Sequence, residues 1–150
     1  MKQIDIRIIR RADSDAVARL YREAGWWREE YTPDFIPAVL RKSFCVAGAF
    51  HHKLLVGMGR AISDGVSDAY IQDVAVLEHY RGRGIGSGII SAIVAHLRRH
   101  DIDWIGLVGS PHTRNFYEKL GFRVMPGHLP MLFDPESAPE AKGGDHESAL

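Results

Sequence analysis

The chain has 150 residues, 45% of them hydrophobic, which is enough for one domain with a substantial core. Its 19 basic and 19 acidic side chains balance, but residues 134–150 hold five acids and one lysine, so the preceding part is mildly basic. This charge suits a small anionic ligand, and a pI near 7.1 argues against a nucleic-acid binder.

The N-terminal third predicts a strand followed by two helices. Residues 4–10 alternate between apolar and polar side chains, as a strand does. The next helix is expected to begin at Asp13 or Ser14 and to end at Gly25. Residues 26–43 contain two prolines and predict a broken second helix, with residues 34–42 as its firmest part.

Three antiparallel strands are expected next. The apolar stretches 44–50 and 53–63 flank the polar pair at residues 51–52, which is the pattern of a hairpin. A turn at residues 63–65 then leads into a third strand at residues 68–77.

The second half of the chain predicts two helices and two strands. They are a long helix with an apolar stripe, a short buried strand, a short helix and a last strand, at residues 85–100, 103–110, 113–120 and 128–134. The order of elements predicts a mixed α/β fold in one domain, residues 1–133. Residues 134–150 have little to bury and predict a flexible acidic tail.

A glycine-rich loop, HYRGRGIGSG at residues 79–88, joins the third strand of the meander to the long helix. Glycines at the start of a helix expose backbone N–H groups that bind phosphate oxygens, and Arg81 and Arg83 add positive charge. The spacing fits neither the dinucleotide-binding fingerprint nor a P-loop. What remains is R-x-x-G-x-G, at Arg81, Gly84 and Gly86, and we predict a diphosphate site.

Two motifs resemble those of the GCN5-related N-acetyltransferase (GNAT) family. VAVLEHYRGRGIGSGII, residues 74–90, is similar to the family's acetyl-coenzyme A motif, and NFYEKLGF, residues 115–122, is similar to its second motif. The resemblance covers about residues 4–133. It implies a single-domain fold with a mostly antiparallel central sheet, a splayed central strand pair and about four flanking helices.

The resemblance also implies acetyl-coenzyme A (acetyl-CoA) as the cosubstrate. The strand at residues 74–76 would separate from its neighbour at residues 103–108 and bind the pantetheine arm, and the loop amides would hold the pyrophosphate. The implied cofactor-binding residues are Val74, Ala75, Val76, Arg81, Gly82, Arg83, Gly84, Ile85, Gly86, Ser87, Asn115 and Tyr117.

The implied reaction is direct attack of an amine on the thioester in a ternary complex. A lysine-like amine has a pKa near ~10 and must lose a proton first. Similar enzymes suggest the Val76 N–H as oxyanion donor and the Tyr117 hydroxyl as the acid for the leaving thiolate. Asp73 is the candidate base, with a structural acid paired to an arginine as the equal alternative. Cys45, in an apolar strand, is expected to be a core residue and not an acyl carrier.

The acceptor is the least defined partner. Trp26, Trp27, Tyr31 and Phe35 gather where similar enzymes build the acceptor pocket. The order of GWW, RAISD, DVAV and FYEKLGF resembles the plant and cyanobacterial serotonin (arylalkylamine) N-acetyltransferase branch, which implies an aralkylamine. Arg81 and PMLFD depart from that branch, and a polyamine, an amino sugar or a protein terminus fits the motifs as well.

We therefore expect an acyltransferase that N-acetylates a small-molecule primary amine. The alternatives are a non-catalytic acyl-CoA sensor or interaction module, and a transferase for another acyl group or acceptor. The pair His96 and His100 lacks a third ligand, so no metal is expected. One cysteine, a charged N-terminus and no apolar run near roughly 20 residues predict a cytoplasmic protein without a membrane partner. A homodimer is left open.

Overall fold

The computed structural model describes residues 3–139, and within this range five strands form one sheet in chain order. The strands are β1 (Ile4–Ile9), β2 (Cys45–His51), β3 (Leu54–Ser63), β4 (Asp68–Val76) and β5 (Trp104–Leu107). The helices are α1 (Ser14–Glu23), α2 (Ile36–Lys42), α3 (Ile85–Arg99) and α4 (Arg114–Glu118). Strands β1 to β4 are antiparallel and β5 is parallel to β4, which confirms the predicted mixed α/β fold.

Strands β4 and β5 are paired over only part of their length. The paired residues run from Asp68 opposite Trp104 to Ile71 opposite Leu107. Beyond Ile71, β4 continues against β3 alone, and its last residue, Val76, lies opposite Gly57. The predicted separation of these two strands is confirmed and leaves a gap beside residues 74–76, although β5 is the edge strand of the described sheet and the pair is therefore not central.

The two faces of the sheet are covered by different helices. Gly59 of β3 faces α3, because a Cβ added there would lie 2.9 Å from Cγ2 of Ile89 and 3.1 Å from Cδ1 of Ile93. Successive strand residues point to opposite faces. Arg60 therefore points to the other face, where α1 packs on β3 and β4.

Helix α3 buries the apolar stripe that the sequence predicts. Ile85, Ile89, Ile93 and Leu97 recur every four residues and are all buried in the core. The helix is 15 residues long, and no helix within residues 3–139 is long and apolar enough to cross a bilayer.

The two N-terminal helices follow their local sequence signals. Of the two predicted caps of α1, Asp13 is the one used, because its Oδ1 accepts a hydrogen bond from the Ala16 N–H at 2.9 Å. The chain then turns at Gly25, which has φ 79°. The prolines divide the second helical region into a 3-10 turn, Pro33–Phe35, and α2.

The predicted last strand, residues 128–134, does not form. These residues lie in an irregular segment whose apolar side chains face solvent, with Leu129 83% and Leu132 96% exposed. Pro130 has no N–H to donate to a strand ladder, and apolar alternation by itself cannot supply a pairing partner. Strand β5 and helix α4 are also shorter than predicted. Of the predicted tail, residues 134–139 are described, whereas residues 140–150 lie outside the described residues.

Candidate active site

The glycine loop adopts a backbone that only its glycines reach without strain. Gly82 has φ 71° and Gly84 has φ 76°, both in the left-handed region. A Cβ added at either position would meet no heavy atom within 4 Å, so the requirement for glycine is conformational and not steric. The loop follows a 3-10 turn, Glu78–Tyr80, and Gly84 is the N-cap of α3.

The loop amides are available to a ligand. Among residues 3–139, no hydrogen bond to a protein group uses the N–H groups of residues 82–87, and the first amide to donate is that of Gly88, to the Gly84 carbonyl at 3.0 Å. These N–H groups lie at the positive end of a four-turn helix dipole. Free N–H groups in this position can bind an anion, as the predicted diphosphate site requires.

The two arginines of the loop donate hydrogen bonds to nearby backbone carbonyls. Arg81 Nε donates to the Val76 carbonyl at 2.9 Å, and Arg83 Nη2 donates to the His79 carbonyl at 2.8 Å. The Arg83 guanidinium also lies over the Tyr80 ring, 5.3 Å from its centroid. Both side chains are exposed and carry further N–H donors, so they can still meet a phosphate beside the loop.

The end of β4 turns its backbone toward the gap. Leu77 N–H donates to the Val56 carbonyl of β3 at 2.8 Å. Because backbone groups alternate sides along a strand, the N–H and C=O of Val76 face away from β3, toward the space that β5 has left. The bond from Arg81 to the Val76 carbonyl agrees with this direction.

Helix α4 brings the second motif against the loop. A Cβ added at Gly86 would lie 3.3 Å from Cζ of Phe116 and 4.0 Å from Cγ2 of Val76. Asn115 and Tyr117 flank Phe116 on this short helix. The Tyr117 ring packs edge-on against Phe116, with centroids 4.9 Å apart. Burial raises the pKa of Tyr117, which keeps its hydroxyl protonated.

Asp73 is held by two side chains that motif reasoning did not identify. Its Oδ2 accepts hydrogen bonds from Arg60 Nε at 2.6 Å and from the Tyr21 hydroxyl at 3.0 Å. Arg60 also donates to Gln72 Oε1 at 2.9 Å and, at 3.4 Å, to Ser43 Oγ. A charged residue inside the apolar stretch LLVGMGRAIS was the available signal for Arg60.

Of the four aromatic residues predicted to form the acceptor site, three form one cluster and the fourth makes a separate contact. Trp27, Tyr31 and Phe35 contact one another with ring centroids 5.7–6.0 Å apart. Trp26 lies instead against Tyr21, at 5.8 Å, and so next to the partner of Asp73. Of the four aromatic residues, Trp26 is therefore the one connected to Asp73 of β4, through Tyr21 of α1.

Cys45 lies apart from these residues. It sits in β2 opposite Ala61 and is buried in the core. Burial raises the pKa of its thiol to about 11, so almost none of it is thiolate at neutral pH. This environment suits a core residue, as the sequence predicts.

A cleft of about 820 Å³ lies on the other side of the glycine loop. It is bounded by Ile4 and Ile6 of β1 and by Arg83 and Ile85, and neither Val76 nor Tyr117 lines it. The cleft is therefore distinct from the gap between β4 and β5.

Comparison with known proteins agrees with the geometry. A sequence model of the acetyltransferase (GNAT) family matches residues 10–122. Histone acetyltransferase TAP1 of Glycine max is 31% identical over 122 residues, which cover 74% of this chain and 52% of that protein. Serotonin N-acetyltransferase 2, chloroplastic, of Oryza sativa subsp. japonica is 37% identical over 71 residues, which cover 47% of this chain and 36% of that protein.

A solved structure shares the fold. A probable acetyltransferase from meticillin-resistant Staphylococcus aureus superposes with a TM-score of 0.77 at 23% identity, covering 88% of this chain and 99% of that one. The chain spans less than two thirds of the length of the first curated relatives it matches. The family match nevertheless extends from α1 through the second motif, and the chain belongs to the GNAT family of acetyltransferases.

Proposed function

We propose that this protein transfers the acetyl group of acetyl-CoA to a primary amine. The observation that carries the proposal is the set of unused amides at residues 82–87, placed at the start of α3 and beside the gap between β4 and β5. Enzymes of the GNAT family use acetyl-CoA as cosubstrate, and this arrangement offers separate places for its diphosphate and for its pantetheine arm. The amides would hold the diphosphate, and the gap would hold the pantetheine arm.

The proposed cofactor contacts follow from the directions of the backbone groups. Val74 would hydrogen-bond the pantetheine arm, and Val76, whose carbonyl already accepts from Arg81, would direct its free N–H to the thioester oxygen. Arg81 and Arg83 would meet the phosphates. Asn115 would lie at the pantetheine or the phosphates, next to the loop that Phe116 contacts.

The proposed chemistry is direct acetyl transfer. The amine nitrogen forms a bond to the thioester carbon, the C–S bond breaks, and the departing thiolate takes a proton from the Tyr117 hydroxyl. The Val76 N–H would stabilise the tetrahedral oxyanion, and one such donor contributes roughly 3 kcal/mol in other enzymes. The amine loses its proton to Asp73 or to water, and these two are the candidates for the general base.

We propose an aralkylamine as the acceptor. The cluster of Trp27, Tyr31 and Phe35 offers aryl surface, and the neighbouring Trp26 contacts Tyr21, which hydrogen-bonds to Asp73 of β4. The rice relative is named for serotonin, which is an aralkylamine, whereas the soybean relative is named for histones, so peptides are the competing acceptors. The cytoplasmic location and the homodimer stay predictions.

The decisive experiment measures coenzyme A release from acetyl-CoA with a panel of acceptors. The panel holds aralkylamines, polyamines, amino sugars and lysine-containing peptides, and each product is confirmed by mass. We expect turnover to be highest with aralkylamines, and a reaction without amine corrects for hydrolysis. Binding of coenzyme A without turnover of any acceptor would favour a sensor, and no binding would contradict the proposal altogether.

A further inference from the structure

Strand β4 contains a bulge directly before the proposed thioester-binding residues. In the pairing with β3, Ala75 lies opposite Met58 and Gln72 lies opposite Arg60, so Gly59 faces two residues, Asp73 and Val74. Such a bulge changes the direction of a strand and increases its local twist. The last β4–β5 pair, at Ile71, comes two residues earlier, so the bulge lies where β4 leaves β5.

The bulge is an unfavourable backbone state that needs support. Asp73 has φ 56°, in the left-handed region, which is unfavourable for an L-residue. Gly59 makes room for it, since a Cβ there would lie 3.2 Å from Cγ2 of Val74. Room does not hold the bulge in place, however, and a specific contact is required to do so.

The Arg60 guanidinium supplies this contact. It binds the Asp73 carboxylate through Nε and the Gln72 amide oxygen through Nη2, so one rigid group fixes both residues at the start of the bulge. The Arg60 and Asp73 side chains are only 16% and 23% exposed, which limits screening by solvent. Tyr21 of α1 donates to the same carboxylate oxygen and adds support from the helix layer.

We infer that Arg60 is a positioning residue, which holds the β4 bulge through Asp73 and so directs the Val74 and Val76 backbone into the β4–β5 gap. The inference rests on the proposed function, because it concerns the placement of acetyl-CoA. Of the two roles predicted for Asp73, the inference assigns it that of a structural acid paired to an arginine, and not that of the base. Oδ2 of Asp73 is engaged by two donors, and its conformation serves the strand.

The test compares Arg60→Met, Arg60→Lys and Asp73→Asn with the wild-type protein. We expect Arg60→Met to lower kcat by about tenfold, because a small misplacement at a reacting centre is costly, and to leave the shape of the kcat/KM pH profile unchanged. Arg60→Lys should recover part of kcat. In Asp73→Asn the new side chain still accepts hydrogen bonds and tolerates positive φ. The rise of kcat/KM with increasing pH (the alkaline rise) should therefore be kept. Arg19→Met, which removes an exposed ion pair with Glu23, is the matched control and should behave as wild type.

Hydrogen exchange gives a readout that does not depend on activity. The amides of residues 74–76 should exchange faster in Arg60→Met than in Arg19→Met, whereas those of β1 and β2 should not differ. If Arg60→Met does not fold, Arg60→Gln replaces it, because glutamine keeps a hydrogen-bonding side chain at this position but removes the charge that binds Asp73.

The outcomes separate this inference from the proposed function. An inactive wild-type protein that does not bind coenzyme A would overturn the proposed function. With an active wild type, unchanged kcat and unchanged exchange in the Arg60 variant would overturn the positioning role. A pH profile that loses its alkaline rise in Asp73→Asn would overturn it as well, and would make Asp73 the base.

Discussion

Replacing Gly84 by alanine should weaken coenzyme A binding more than it weakens the fold. Gly84 has φ 76°, and a Cβ added there would meet no heavy atom within 4 Å. The cost of the substitution is therefore purely conformational, about 1–2 kcal/mol for an L-residue in the left-handed region.

This cost should appear in the binding equilibrium. The loop around Gly84 is exposed, so the variant can rotate to a negative φ in the free protein. If the amides of residues 82–87 hold the diphosphate, binding has to restore the left-handed backbone. At 1.4 kcal/mol for each factor of ten, Kd should rise by about 5- to 30-fold.

Gly25→Ala is the matched control for this measurement. Gly25 has φ 79° and the same open surroundings, but it lies at the end of α1. The control should lower Tm and leave Kd unchanged, as judged by titration calorimetry with coenzyme A and by thermal unfolding. An unchanged Kd for Gly84→Ala, or an equal loss in both variants, would refute the assignment of the diphosphate to this loop.

Three further variants test the remaining assignments. Tyr117→Phe should lower kcat by about 100-fold with Kd for coenzyme A unchanged, since it removes a general acid; full kcat would exclude that role. Trp27→Ala should raise KM for an aralkylamine by about 5- to 10-fold, whereas Trp104→Ala, at an exposed residue of β5, should not; equal effects would separate the aromatic cluster from the acceptor site. Cys45→Ala should keep activity, because Cys45 is assigned to the core. Isolation of an acetyl-enzyme from the wild-type protein would contradict this assignment. Because burial raises the pKa of the Cys45 thiol to about 11, the wild-type protein should lose stability as pH rises from about 9 to 11, and this loss should be smaller in Cys45→Ala.

Local periodicity was enough to predict most elements of this fold. The four-residue spacing from Ile85 to Leu97 can bury its apolar side chains only as a helix, and the hairpin around residues 51–52 follows from two apolar runs and a short polar turn. The glycine loop could also be predicted, because positive φ angles and free amides at the start of a helix depend only on residues that are close in the sequence. These are short-range effects, and the sequence determines them directly.

The core of the proposed site depends on contacts between distant residues. Tyr21 and Asp73 are 52 positions apart, and Arg60 and Asp73 are 13 apart. Their meeting depends on the register of β3 with β4, and a bulge changes that register by one residue. The residue types alone left Asp73 with two roles, and the ion pair with Arg60 became visible only in the folded sheet.

The C-terminal segment shows that an apolar sequence does not by itself produce a strand. Residues 128–134 have the apolar composition of a strand, yet they pair with no strand within residues 3–139 and their large side chains face solvent. A strand exists only where a neighbour supplies hydrogen bonds. The sequence by itself determined the helices, the hairpin and the glycine loop, whose causes are local, whereas the tertiary structure alone decided which strands pair, where β4 leaves β5 and which side chain holds Asp73.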